Sequence, residues 1–223
     1  MEHELVAVDE GGSLAAEAAS FVAAAAAAAV DDHGRFDFAV SGGHTPWDMF
    51  AELAKMPVPW RAVHIFQVDE RVVPPGDDQR NLGQLRRALG AAPAEVVPMP
   101  VDQADLAAAA ASYAKGLPDR FDLVHLGLGP DGHTASLVPG DPVLEVLDRL
   151  VALSRPYQGH PRMTLTYPGL ARAAEILWLV SGTDKQDALA KLLAGDQSIP
   201  AGRVEARHSV VFADASAIKP GGA

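Results

Sequence analysis

The chain has 223 residues, 48% of them apolar and 21% charged, and its 18 Lys and Arg against 29 Asp and Glu give a formal net charge of −11. No run of Lys or Arg forms the basic stripe that nucleic acid or an anionic membrane surface requires, so both are disfavoured as partners. Cysteine is absent, which excludes disulfides, thiol nucleophiles, iron–sulfur clusters and cysteine-ligated zinc.

The opening MEHELVAVDE has no basic stretch leading into an apolar core, so it does not read as a signal peptide, and a cytoplasmic protein is expected. A first strand is predicted at Leu5–Val8 and a helix over Leu14–Val30. The alanine-dominated run Phe21–Val30 within it is far short of the ~20 residues a membrane span needs. Strands follow at Phe36–Val40 and Val63–Val68, with a helix over Pro46–Lys55 between them. Helices at Asn81–Leu89 and Leu106–Lys115 precede a strand at Leu123–Leu128. Then come a helix at Val143–Leu150, strands at Met163–Thr166 and Ile176–Val180, a helix at Lys185–Leu193 and a strand at Val210–Phe212. Runs such as VHIFQV and ILWLV lack clean alternation, as strands buried on both faces do. This order predicts an α/β fold: a mostly parallel, Rossmann-like sheet wound with helices on both faces, in one domain across residues 1–223.

In such sheets the ligand sits beyond the carboxyl ends of the strands, so the loops that follow strands carry the functional signal. In Ser41-Gly42-Gly43-His44-Thr45-Pro46, Thr45 is a good N-cap and Pro46 a favoured first helical residue. Bare glycine amides at that helix end suit a phosphate, although a tight strand-to-helix turn explains the same residues. His44 belongs to the loop tip and is not taken as a ligand. Asp69-Glu70-Arg71 reads as a surface ion pair of little consequence, or as Asp69 over a reacting centre with Arg71 gripping a phosphate bidentately. Arg80 and Asn81 open the next helix.

The fourth strand runs into Gly127-Leu128-Gly129-Pro130-Asp131-Gly132, a literal GxGxxG. It does not open a first βαβ unit, Asp131 would face a pyrophosphate, and Pro130 removes an amide, so a dinucleotide loop is rejected. His133, just past the strand and close to Asp131, is placed for general-base work. A histidine that caps a helix or satisfies a core carbonyl is the plain alternative. In Ser181-Gly182-Thr183-Asp184-Lys185, the lysine opposes the macrodipole at a helix start unless an anion shares that end; a solvated lysine is the plain reading. Arg162, heading Met163–Thr166, is a third candidate cation. There is no GxSxG elbow, HExxH or P-loop, and the remaining histidines show no ligand spacing, so no metal or other cofactor is implied.

With these residues in view, the chain resembles the 6-phosphogluconolactonase family. SGGHTP is similar to that family's SGGxTP, VDERVVP to its DERxVP, GLGPDGHTASLVPG to its LGxGxDGHTASLFPG, RMTLT to its RxTLT, and SGTDK carries its Gly-x-x-Lys element. The matches run in family order from Val40 to about Val204. The resemblance implies hydrolysis of a phosphorylated sugar lactone by a monomer without cofactor. His133 would be the base that activates water, with Asp131 orienting it. Gly42, Gly43, Thr45, Arg71, Arg162 and Lys185 would surround phosphate and sugar hydroxyls, and Asp69 and Asn81 would shape the sugar site. Loop amides near Gly132 are the expected oxyanion donors. Arg80, Pro130 and Val138 depart from the family's usual residues.

The related glucosamine-6-phosphate deaminases share the SGG loop, an Asp-Glu pair and the DGH element. They carry a Glu where this chain has Val138 and a Tyr in place of Arg71, which favours the lactonase. A non-catalytic sugar-phosphate sensor would keep the phosphate loops but need neither His133 nor Asp131.

Overall fold

The computed structural model describes residues 2–9 and 13–218; the closing Lys-Pro-Gly-Gly-Ala falls outside them. The order is β1 (Glu4–Val8), α1 (Leu14–His33), β2 (Phe36–Val40), α2 (His44–Leu53), β3 (Val63–Gln67), β4 (Asp69–Arg71), α3 (Asn81–Leu89) and β5 (Glu95–Val97), then α4 (Leu106–Lys115) and β6 (Phe121–Gly127). The second half adds β7 (Val151–Tyr157), β8 (His160–Leu165), α5 (Tyr167–Leu170), β9 (Ala173–Val180), α6 (Gln186–Leu193) and β10 (His208–Asp214). Seven strands form one sheet in the order β1-β10-β9-β6-β2-β3-β5, and every neighbouring pair is parallel.

The continuous apolar runs follow from this sheet being covered on both faces. Side chains alternate across a strand, so Phe38 and Val40, Leu177 and Leu179, and Val210 and Phe212 enter a core shared with α1, α2 and α3. Their neighbours Ala39, Ile176, Trp178 and Val211 enter the opposite core with α4 and α6. Helix α1 is long and apolar enough to cross a membrane by length and composition alone. Here it lies along the sheet, burying Ala18, Ala19, Val22 and Ala26, with Ser13 capping its start and Gly34 in the left-handed region ending it.

Two expectations are corrected. The segment predicted as a helix at Val143–Leu150 makes only a 3₁₀ turn, Pro142–Glu145. Helical spacing there would have to bury Leu147, which is 67% exposed. Instead Asp141 caps the turn at Val143 N–H and accepts from Arg155 N–H, tying it to β7. Met163–Thr166 is extended as predicted but belongs to a separate three-stranded antiparallel sheet, β4-β8-β7. The strands β4, β5 and β7 are additional to those predicted. Val68 joins the two sheets: its N–H donates to the Val40 carbonyl, and its carbonyl accepts from Leu165 N–H.

The chain moves from β2 through β3 to β5 on one side of the parallel sheet, then returns to β6 on the other side of β2. Loops leaving β2 and β6 therefore diverge at a switch point, where open α/β sheets form their ligand crevice.

Candidate active site

A cleft of about 370 Å³ opens at that switch point. Nine of the ten residues singled out from the sequence line it, and the tenth, Asp131, stands directly behind His133. A larger hollow of about 620 Å³ lies between α3 and the segment 98–103. It mixes Asp77, Asp78 and Asp102 with Arg80, Arg86 and Arg87 and holds none of the ten, so the smaller cleft is the candidate site.

The loop after β6 is folded around the histidine. Gly129 N–H donates to the His133 carbonyl at 2.8 Å and Gly132 N–H to the Gly129 carbonyl at 2.9 Å. Asp131 Oδ1 accepts from His133 N–H at 3.1 Å and meets Nδ1 of its ring at 2.5 Å. Burial alone would raise the Asp131 carboxyl, but the hydrogen bonds from His133 outweigh that and hold it below its ordinary value. An ionised Asp131 keeps the proton on Nδ1 and leaves Nε2 as the basic nitrogen of a neutral ring. Gly129 makes this arrangement possible: a Cβ there would fall 2.0 Å from His133 Nδ1 and 2.8 Å from Asp131 Oδ1. The Gly132 and His133 amides are spent inside the loop, so neither of these two is an oxyanion donor in this geometry.

The SGG loop differs from expectation in its cap. Gly43, with φ +138°, is the N-cap of α2, and the helix already begins at His44; Thr45 lies in its first turn. Pro46 is tolerated there because first-turn N–H groups have no intrahelical partner. No side chain caps this end, which leaves its amides to the cleft. Gly42 is pressed by Asn81, whose Oδ1 would lie 2.1 Å from an added Cβ.

The two arginines come from the antiparallel sheet. Arg71 on β4 and Arg162 on β8 are directly opposed in register. Like charges so placed destabilise an antiparallel pair, and an anion between them removes the penalty. Arg71 Nη1 donates to the Gln79 carbonyl (2.8 Å) and to Asn81 Oδ1 (2.9 Å). Arg162 is 4% exposed and lies 3.9 Å from Asp69 Oδ2. Burial lowers its pKa, with Arg71 adding to the effect and Asp69 opposing it; a guanidinium remains charged regardless. Asp69 is buried and accepts from Ser136 Oγ at 2.6 Å, while Asn81 Nδ2 donates to its backbone carbonyl at 3.1 Å. It forms the floor of the cleft.

Glu70, the middle residue of Asp-Glu-Arg, takes no part in the cleft. Fully buried, it accepts from the N–H groups of Arg71, Asn81 and Leu82, each at 2.8 Å, and from Gln67 Nε2. Arg80 stands 3.6 Å away on the same carboxylate, so this departure from the family pattern is absorbed behind the cleft wall. Lys185 ends the 3₁₀ turn Thr183–Lys185 and precedes α6. Its ammonium is paired at 2.9 Å with Asp184, which is largely exposed and free to yield to a ligand anion. Asp214 anchors this loop, accepting from Ser181 Oγ and Gly182 N–H.

The sequence reading missed Tyr157, Gln158 and Ser181, all of which line the cleft. Tyr157 ends a strand that was not predicted and Gln158 opens the turn after it; the only sequence signal was Gly159 between two short extended runs. His125, in contrast, is sealed under the SGG loop. Burial pushes its pKa down to about 3, and Ser41 N–H donates to its carbonyl.

The family described as glucosamine-6-phosphate isomerases/6-phosphogluconolactonase matches residues 9–213. The chain is 35% identical over 201 residues to a 6-phosphogluconolactonase of Synechocystis sp., covering 82% of this chain and 83% of that protein. It is 39% identical over 192 residues to a 6-phosphogluconolactonase of Caulobacter vibrioides, covering 80% and 81%. The structure of a 6-phosphogluconolactonase from Thermotoga maritima superposes with a TM-score of 0.85 at 27% identity, covering 95% of this chain and 100% of that one. A monomeric glucosamine-6-phosphate deaminase, at 17% identity and a TM-score of 0.82, shares the fold.

Proposed function

Since the chain belongs to the glucosamine-6-phosphate isomerase/6-phosphogluconolactonase family and stands among its lactonase members, we propose that it hydrolyses 6-phospho-D-glucono-1,5-lactone to 6-phospho-D-gluconate. That reaction is the second step of the oxidative pentose phosphate pathway. The observation that carries this reading is one cleft holding an imidazole fixed on a carboxylate opposite two arginines in register.

In this reading the phosphate lies near Arg71, Arg162 and Lys185 and the open amides of α2, and the sugar rests over Asp69 and Asn81. His133 Nε2 takes a proton from water as the oxygen attacks the C1 carbonyl. The tetrahedral intermediate collapses, the C1–ring-oxygen bond breaks, and the imidazolium returns the proton to that oxygen. The new carboxylic acid then loses its proton to solvent. Asp131 steadies the transient imidazolium. A positioned base contributes on the order of 10²–10⁴ in rate, which suffices for a reactive lactone with no metal and no covalent intermediate. The cations offset locally the −11 charge of the chain, which would otherwise repel an anionic substrate. One sheet shared by both cores supports reading the chain as a single domain, and we take it to act as a cytoplasmic monomer.

The test supplies the phosphorylated lactone and, separately, glucosamine 6-phosphate, and follows acid and ammonia release. Acid from the lactone, above its spontaneous rate, with no ammonia from the amino sugar is the expected result. Ammonia release, or tight binding without turnover, would refute it.

A further inference from the structure

The β7–β8 hairpin closes one side of the cleft, and its tip touches both halves of the proposed machinery. Tyr157 pairs with His160 across the two residues Gln158 and Gly159, both at positive φ (+51° and +87°). That is the two-residue turn whose twist suits antiparallel strands, and it places a non-glycine residue in a region it rarely adopts. The Tyr157 ring meets the His133 ring edge-on, with centroids 5.1 Å apart and planes at 63°. The Arg162 guanidinium carbon lies over the Tyr157 ring, 5.1 Å from its centroid. Arg162 Nη2 also donates to the Tyr157 carbonyl (3.3 Å) and to Gln158 Oε1 (3.4 Å). Burial, and then the charge of Asp131, raise the Tyr157 hydroxyl above its ordinary value, so it stays neutral beside that carboxylate.

We infer that Tyr157 is a positioning residue that couples the base to the phosphate-binding cation. Its ring blocks rotation of the His133 imidazole away from Asp131 and fixes the plane in which Arg162 presents its guanidinium. This rests on the lactonase reading for its kinetic consequences, but the orientation of His133 can be observed without substrate.

The experiment compares Tyr157→Ala, Tyr157→Leu and Tyr157→Phe with the parent. It uses steady-state kinetics on the phosphorylated lactone, ¹⁵N NMR of the His133 side chain and thermal unfolding. Loss of the ring removes a cation–π contact worth a factor of about two to five and an aromatic pair of similar or larger effect. The expected outcome for Ala is therefore a fall of about tenfold in kcat/KM, divided between higher KM and lower kcat. His133 should move from a single Nδ1–H tautomer toward a mixture. Leu fills the space without a π face and should show the same change, which covers the case where Ala does not fold. Phe should restore most of both signals. Kinetics within twofold of the parent and an unchanged His133 signature in Ala or Leu, with only a lower melting temperature, would overturn the inference. If the parent itself does not turn over the lactone, the functional reading fails while the NMR comparison still decides the role of Tyr157.

Discussion

The seven-stranded parallel sheet and the three-stranded antiparallel sheet build opposite walls of one cleft, and they supply different groups to it. The parallel sheet ends its strands in loops, and these carry the His133–Asp131 pair and the exposed amides of α2. The antiparallel sheet presents side chains directly from strands: Asp69, Arg71, Tyr157 and Arg162. Loops can fold around a single reactive side chain, as the segment from Gly129 to His133 does. A paired ladder fixes side chains at a constant spacing, which suits gripping a ligand between Arg71 and Arg162. The division leads to a kinetic expectation: changes at the His133–Asp131 loop of the parallel side alter turnover, changes at the paired arginines of the antiparallel side alter affinity, and Tyr157, which touches both, alters each.

Gly129→Ala offers the sharpest test on the first wall. Its methyl would occupy the place of His133 Nδ1, so the imidazole must leave Asp131. A fall in kcat on the order of 10² is expected, with KM changed far less. If KM rises and kcat holds, the loop is a binding element and the division fails. On the second wall, Arg162→Ala should raise KM about tenfold or more, as a charge-assisted contact to phosphate is lost. Arg162→Lys should restore only part, because an ammonium cannot reproduce a bidentate fork. Measurement of KM and kcat for both variants checks this; a loss confined to kcat would break the comparison.

The last effect is on stability and comes from the buried histidine of the parallel side. His125 is fully buried with its pKa near 3, against 6.5 for an ordinary histidine. Between those values the unfolded chain binds a proton that the folded chain refuses, so stability falls as pH drops below about 6.5. The cost is at most about 1.4 kcal/mol per pH unit. Thermal unfolding from pH 7 to 4.5 should therefore show a shallower decline in His125→Asn than in the parent. Equal slopes would show that this histidine does not govern acid lability.

The same division decided what could be read from the sequence. The parallel sheet, apart from its short and half-exposed edge strand β5, was legible because double-sided burial leaves apolar runs such as VHIFQV and ILWLV, and glycine-rich loops mark their ends. Its helices were legible too, apart from the four-residue α5, which was not predicted, and Val143–Leu150, where apolar residues at helical spacing serve a turn and the approach to β7. The antiparallel sheet was not legible as a sheet. β4 is three mostly polar residues, Asp69–Arg71, and β7 has a bulge between Ser154 and Tyr157 that breaks its alternation. Arg71 and Arg162 could be named as cations, but their pairing in register depends on long-range contacts that no local pattern reports. Tyr157 was missed for the same reason, and Glu70, given no role of its own from the sequence, is the buried tie between β4 and the start of α3.

His133→Ala decides whether His133, held by Asp131, activates water on the lactone. Turnover of the phosphorylated lactone should be measured with the spontaneous rate subtracted, alongside thermal unfolding. At least a hundredfold loss of kcat with an intact fold is expected; near-parental turnover in a folded variant would remove His133 from the reaction.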